Sequence, residues 1–192
     1  MLNQRGCMSK AEKNEAELKL GIVLPPLALP ATDGGMIDIA ALPGRSLVMV
    51  YPWTGCPGRP NPPNWDDIQG AHGSTPELEG FRDREAGFAA LGVRLLGLSR
   101  QTTDYQRELV ARLALPFPIL SDAECRFAGA LRLPSFTTGG EIYLKRLTLA
   151  VKDGRIERAF YPVADPAGHA AEVLSWLGRK PQSDSSSASS TE

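Results

Sequence analysis

Hydrophobic positions along this chain come in short runs whose period changes. Leu27 to Leu29 and Met36 to Ile39 flank Ala31-Thr32-Asp33-Gly34-Gly35, whose glycines permit the positive φ of a hairpin turn. Ser46 to Tyr51 is an unbroken apolar run closed by Pro52, the pattern of a strand buried on both faces. From about Pro76 to Leu91 the period lengthens to that of a helix. Leu78, Phe81, Phe88 and Leu91 share one side, Arg82, Asp83 and Arg84 the other, and Gly92 is placed to end it.

The alternation continues. Val93 to Leu98 reads as a second buried strand. Thr103 and Gln106 have capping-box spacing ahead of a helix carrying Leu109, Leu113 and Leu115, which Pro116 stops. Phe117 to Leu120 is a short strand, and Ser121 with Glu124 forms a second box opening a helix through Cys125, Phe127 and Leu131. Ile142 to Val151 and Arg155 to Tyr161 read as strands around the hairpin signal Lys152-Asp153-Gly154. Asp165, Pro166 and Gly178 frame a last helix whose apolar side is Val173, Leu174 and Leu177. This order predicts an α/β domain over residues 20–179, with a mixed central sheet and helices on both faces. Residues 1–19 read as a polar extension and residues 180–192 as a disordered Ser-rich tail.

Composition narrows the function classes. The 192 residues are 42% hydrophobic and 22% charged, with a net charge of -1, which argues against a dedicated binder of nucleic acid or membrane surface. No apolar run approaches the roughly 18 residues of a membrane span. The three cysteines, Cys7, Cys56 and Cys125, form neither a CxxC nor a zinc-ligand spacing. Free thiols in a reducing, cytoplasmic compartment are the expectation.

Candidate chemistry concentrates between Tyr51 and Asp83, where a strand passes through a Pro-, Gly- and Trp-rich loop into a helix N-terminus. That is how an open α/β sheet presents reactive groups at the carboxyl edge of its strands. Cys56 lies in this loop. Cys125 reads as a half-buried packing thiol and Cys7 as incidental. Trp53 and Trp65 read as packing over the strand ends, and His72 as a surface-loop histidine. Ser74 and Glu77 have capping-box spacing. Gly73-Ser74-Thr75 is not a G-x-S-x-G elbow, and no acid stands at triad spacing.

The segments LALPATDGGMIDIAAL, LVMVYP, GSTPELEGFRD, GVRLLGLSRQTTDYQRELVARLALPFPILSD and YLKRLTLAVKDGRIERAFYPV, spanning residues 21 to 177 in order, resemble the redoxin (peroxiredoxin and alkyl-hydroperoxide-reductase) group of the thioredoxin fold. The likeness is closest to the bacterioferritin-comigratory, or Q-type, peroxiredoxins. It implies thiol-dependent reduction of hydrogen peroxide or organic hydroperoxides with no cofactor and no metal. It also implies thioredoxin or another thiol as reductant, and allows a homodimer. The family's peroxidatic cysteine falls on Ser74, its resolving cysteine on Glu79 and its motif threonine on Ala71. Pro52 matches the motif proline, and Arg146 the arginine that points at the thiolate.

Serine cannot replace that cysteine, because it has no accessible anion near neutral pH and no sulfenate chemistry. Pro52, Thr54 and Cys56 compress the family's proline-threonine-cysteine order, which makes Cys56 the alternative nucleophile. An incidental loop thiol is the other reading of Cys56. A redox-inactive binding or regulatory protein is the alternative for the whole chain.

Overall fold

The computed structural model describes residues 20–179. The polar extension, Cys7 and the Ser-rich tail lie outside them. Strands β1 (Ala28–Pro30) and β2 (Met36–Asp38) form the expected antiparallel hairpin. The central sheet has five strands: β3 (Arg45–Val50), β4 (Val93–Ser99), β5 (Ile119–Ser121), β8 (Leu147–Lys152) and β9 (Arg155–Phe160). They lie side by side in the order β5-β4-β3-β8-β9. β3, β4 and β5 run parallel, and β8 and β9 join antiparallel, as the sequence order requires.

Strict alternation in β3 builds a core on each face. Val48 and Val50 pack with Leu96, Leu98, Leu149 and Phe127 on one side. Leu47, Met49 and Tyr51 pack with Leu78, Phe81, Phe88 and Leu109 on the other. The helices are α1 (Ser74–Arg82), α2 (Glu85–Ala90), α3 (Thr103–Leu113), α4 (Arg126–Ala130) and α5 (His169–Gly178). α4 supplies the first core, and α1, α2, α3 and α5 the second.

Several expectations are corrected. The single helix over 76–91 is two helices broken at Asp83–Arg84, across which the rings of Phe81 and Phe88 stack 5.5 Å apart. Leu91 faces solvent, 46% exposed. The strand over 142–151 is also two elements: β7 (Glu141–Leu144) pairs with an unanticipated β6 (Ser135–Thr138) as a separate hairpin. Leu144 and Leu147 both enter the same core, which an unbroken strand forbids because residues three apart point to opposite faces. The chain therefore leaves the ladder at Lys145–Arg146.

Two caps sit one step from their predicted places. Thr102, not Thr103, caps α3 by accepting from Tyr105 N. Cys125 precedes α4 as its N-cap residue, and Asp122 rather than Ser121 accepts from Phe127 N and Ala128 N. The third correction of this kind concerns α5. Asp165 accepts from Gly168 N, so the helix begins after the predicted cap and first-turn proline.

Candidate active site

The turn into α1 is fixed by one glycine. Gly73 has φ 103°, and a Cβ there would stand 2.7 Å from Cγ of Pro166, so any side chain would both strain the backbone and strike the segment before α5. Gly73 is the N-cap of α1, and no side chain caps it. The predicted capping role of Ser74 is therefore wrong. Ser74 is the first residue of the helix and is 3% exposed.

Both members of the predicted box are instead turned onto Arg146. Arg146 Nη2 donates to Ser74 Oγ at 3.1 Å and to the His72 carbonyl at 2.9 Å. Its Nη1 donates to Glu77 Oε2. The break between β7 and β8 lets a cation from the sheet reach a helix first turn 72 residues earlier in the chain. Burial is the main influence on Glu77 and raises its pKa to about 7, outweighing the pull of Arg146. Glu77 Oε1 has no hydrogen-bond partner, and neither has Arg146 Nε.

Cys56 sits elsewhere in the loop. Thr54, two residues before it, is clamped to the start of α3: Gln101 Oε1 accepts from Thr54 N at 3.2 Å and from Oγ1 at 3.1 Å. Gln101 Nε2 and the Tyr105 hydroxyl both donate to the Thr54 carbonyl, at 3.0 and 2.9 Å. Arg112 Nη2 donates to the Gly55 carbonyl at 3.0 Å. The half-buried Cys56 thus lies near Tyr105 of α3. Tyr105 has its pKa raised by burial first and then by the neighbouring charge of Cys56, with Arg59 and Arg112 opposing.

A cavity of about 220 Å3 opens in front of Ser74, with Trp53, Thr54, Ala71 and His72 in its wall, and Cys56 does not line it. Among the described residues, the hydrogen bonds of Arg146 go to Ser74, Glu77 and the carbonyls of Gly70 and His72 rather than to Cys56. The structure brings Arg146 to Ser74 and leaves Cys56 with Thr54. Pro52 is buried and lines a different depression with Arg100 and Tyr143. Cys125 packs against the first core, as expected. His72 is exposed and hydrogen-bonds Asp66 at 2.8 Å. Trp53 and Trp65 meet edge to face, and Trp65 also packs on Tyr143 and Phe136, stitching the loop to the β6–β7 hairpin.

Two contributors escaped the sequence reading. Glu77 was assigned to a cap, and its burial becomes visible only once Arg146 arrives from the break before β8. Gln101 carried no signal beyond an amide near the start of a helix.

The model of the Redoxin family matches residues 19–174. The chain belongs to the redoxin family. Peroxiredoxin Bcp of Escherichia coli K12 is 28% identical over 167 residues, covering 83% of this chain and 96% of that protein. A Coxiella burnetii protein that carries the name peroxiredoxin bcp is 26% identical over 166 residues, covering 83% and 99%. Among solved structures, peroxidoxin BcpB of Mycobacterium tuberculosis superposes with a TM-score of 0.67 at 21% identity, over 83% of this chain and 96% of that one. Peroxiredoxin Q of Xanthomonas campestris gives a TM-score of 0.66 at 23% identity, over 82% and 96%. The chain is therefore a peroxiredoxin-like redoxin with the thioredoxin fold and the Q-type, bacterioferritin-comigratory likeness read from its sequence.

Proposed function

We propose that this redoxin is a thiol peroxidase that reduces hydrogen peroxide or an organic hydroperoxide with Cys56 as its nucleophile. The supporting observation is the placement of Cys56: a free, partly exposed thiol in the loop that follows β3, next to the Thr54 clamp and near Tyr105, with Arg112 on the neighbouring Gly55 carbonyl. The named relatives support the activity, and a solved Xanthomonas campestris bacterioferritin comigratory protein is described for alkyl peroxide reduction.

In this reading the Cys56 thiolate attacks one peroxide oxygen, the O–O bond breaks, and the second oxygen leaves with a proton as water or alcohol. Sulfur is oxidised to the sulfenic acid. An external thiol then condenses with it and releases water, and a second thiol reduces the mixed disulfide. Thioredoxin or a small thiol supplies those two equivalents. Thr54 acts here by holding the backbone, since its hydroxyl is engaged by Gln101. The protein works in the cytoplasm.

Stoichiometric peroxide followed by a sulfenic-acid trap and mass spectrometry tests this. Labelling of Cys56 faster than free cysteine is expected, with turnover absent in Cys56→Ser. Labelling no faster than free cysteine sinks the assignment.

One observation favours a second reading, in which the fold binds a ligand without redox chemistry. The residue that Arg146 holds is a serine. Two of the solved Xanthomonas campestris neighbours are cysteine-to-serine mutants of peroxiredoxin Q, whereas this chain carries Ser74 in its own sequence. Under this reading wild-type protein shows no turnover, and Ser74→Cys creates it.

A further inference from the structure

Arg146 stands in the wall of a second cavity, of about 300 Å3, which the peroxidase reading does not use. Its lining includes Phe136 of β6, Lys145, and Tyr161, Pro162 and Val163 after β9, and contains no acidic side chain. Two cations therefore meet a partly apolar chamber whose size is at the lower end of small-molecule sites.

The guanidinium is also incompletely used. Arg146 is 4% exposed, its Nη groups are engaged, and its buried Nε has no acceptor. A buried donor without a partner is uncommon in a folded protein. Burial also holds Glu77 toward its neutral form, which leaves the charge of Arg146 less than fully offset inside the protein.

We propose that this cavity binds a small carboxylate with an apolar tail. The carboxylate pairs with the Lys145 ammonium at the end of the cavity walled by Arg146, and the tail lies against Phe136, Tyr161, Pro162 and Val163. A charge-assisted hydrogen bond from Lys145, reinforced by the nearby charge of Arg146, provides orientation, and the apolar walls select a short alkyl chain over a bare inorganic anion. The site stands independently of Cys56 chemistry, because binding is read without peroxide.

Titration of the full chain with hexanoate, followed residue by residue through backbone amide NMR, tests this. Saturable shifts are expected at Gly70, Lys145 and Val163. Hexanamide, which keeps the tail and loses the charge, binds roughly tenfold or more weakly. Lys145→Gln weakens hexanoate by roughly tenfold. Lys145 is half-exposed, and a dispersed spectrum checks that the variant is folded. Any one of four results overturns the proposal: no saturable shifts, equal binding of the amide, unchanged affinity in Lys145→Gln, or shifts centred on Ala71 to Thr75.

Discussion

Two parts of one loop-helix stretch treat their reactive groups in opposite ways. Around Ser74 the side chains do the holding: Ser74, Glu77 and Arg146 are at most 4% exposed and join one another through their own polar atoms. Around Cys56 the backbone is held instead, through the Thr54 and Gly55 carbonyls, and the thiol stays partly open to solvent. The polar network and the loop thiol have separated. The buried electrostatic apparatus carries a hydroxyl, and the sulfur sits where its main chain, rather than its side chain, is fixed.

That contrast can be broken experimentally, and the largest effect expected is on chemistry. Cys56→Ser should reduce peroxide consumption to background while changing stability by no more than about 0.5 kcal/mol in urea unfolding. Arg146→Ala should do the reverse and cost about 1–3 kcal/mol in the same measurement, because it leaves Ser74 Oγ, Glu77 and the His72 carbonyl without their shared buried donor. A small stability loss in Arg146→Ala would show that the Ser74 region is held by packing rather than by its polar network.

The pH dependence sharpens the picture from a second side. Glu77 has a folded pKa of about 7 against an unfolded value near 4.5, so its contribution is full below that lower value and is lost as pH rises through about 7. His169 runs the opposite way. It is buried against Thr148 and Glu172, and burial lowers its pKa, so stability falls once pH drops below 6.5 and the unfolded chain takes up the proton. Stability-versus-pH curves should lose the fall between about pH 4.5 and 7 in Glu77→Gln, and the fall below pH 6.5 in His169→Gln. The smallest effect is expected in Gln101→Ala, which frees the Thr54 clamp. A loss of about 1 kcal/mol should appear together with faster proteolysis in the loop around Cys56.

The architecture was legible because its signals are local. The Ser46–Tyr51 run, the Asp33-Gly34-Gly35 and Asp153-Gly154 turns, and the helical steps through Leu109 and Leu113 each follow from a few neighbouring residues. The candidate site was legible only as a region. Ser74 and Glu77 have the spacing of a cap, and nothing within the helix says that an arginine 69 residues beyond Glu77 will claim its carboxylate. The departure of the chain from the ladder at Lys145 likewise depends on Leu144 and Leu147 sharing a core, a long-range demand that overrides a continuous strand pattern. Gly73 was unremarkable until Pro166 came against it.

The break at Lys145–Arg146 has a thermodynamic consequence. Because the guanidinium that walls one cavity also donates to Ser74, which lines the other, the two chambers are not independent compartments. An occupant of either that draws on Arg146 alters what the other can offer, and linkage requires the two effects on affinity to be equal. An interruption in a β-strand thereby makes two small voids into a reciprocal pair.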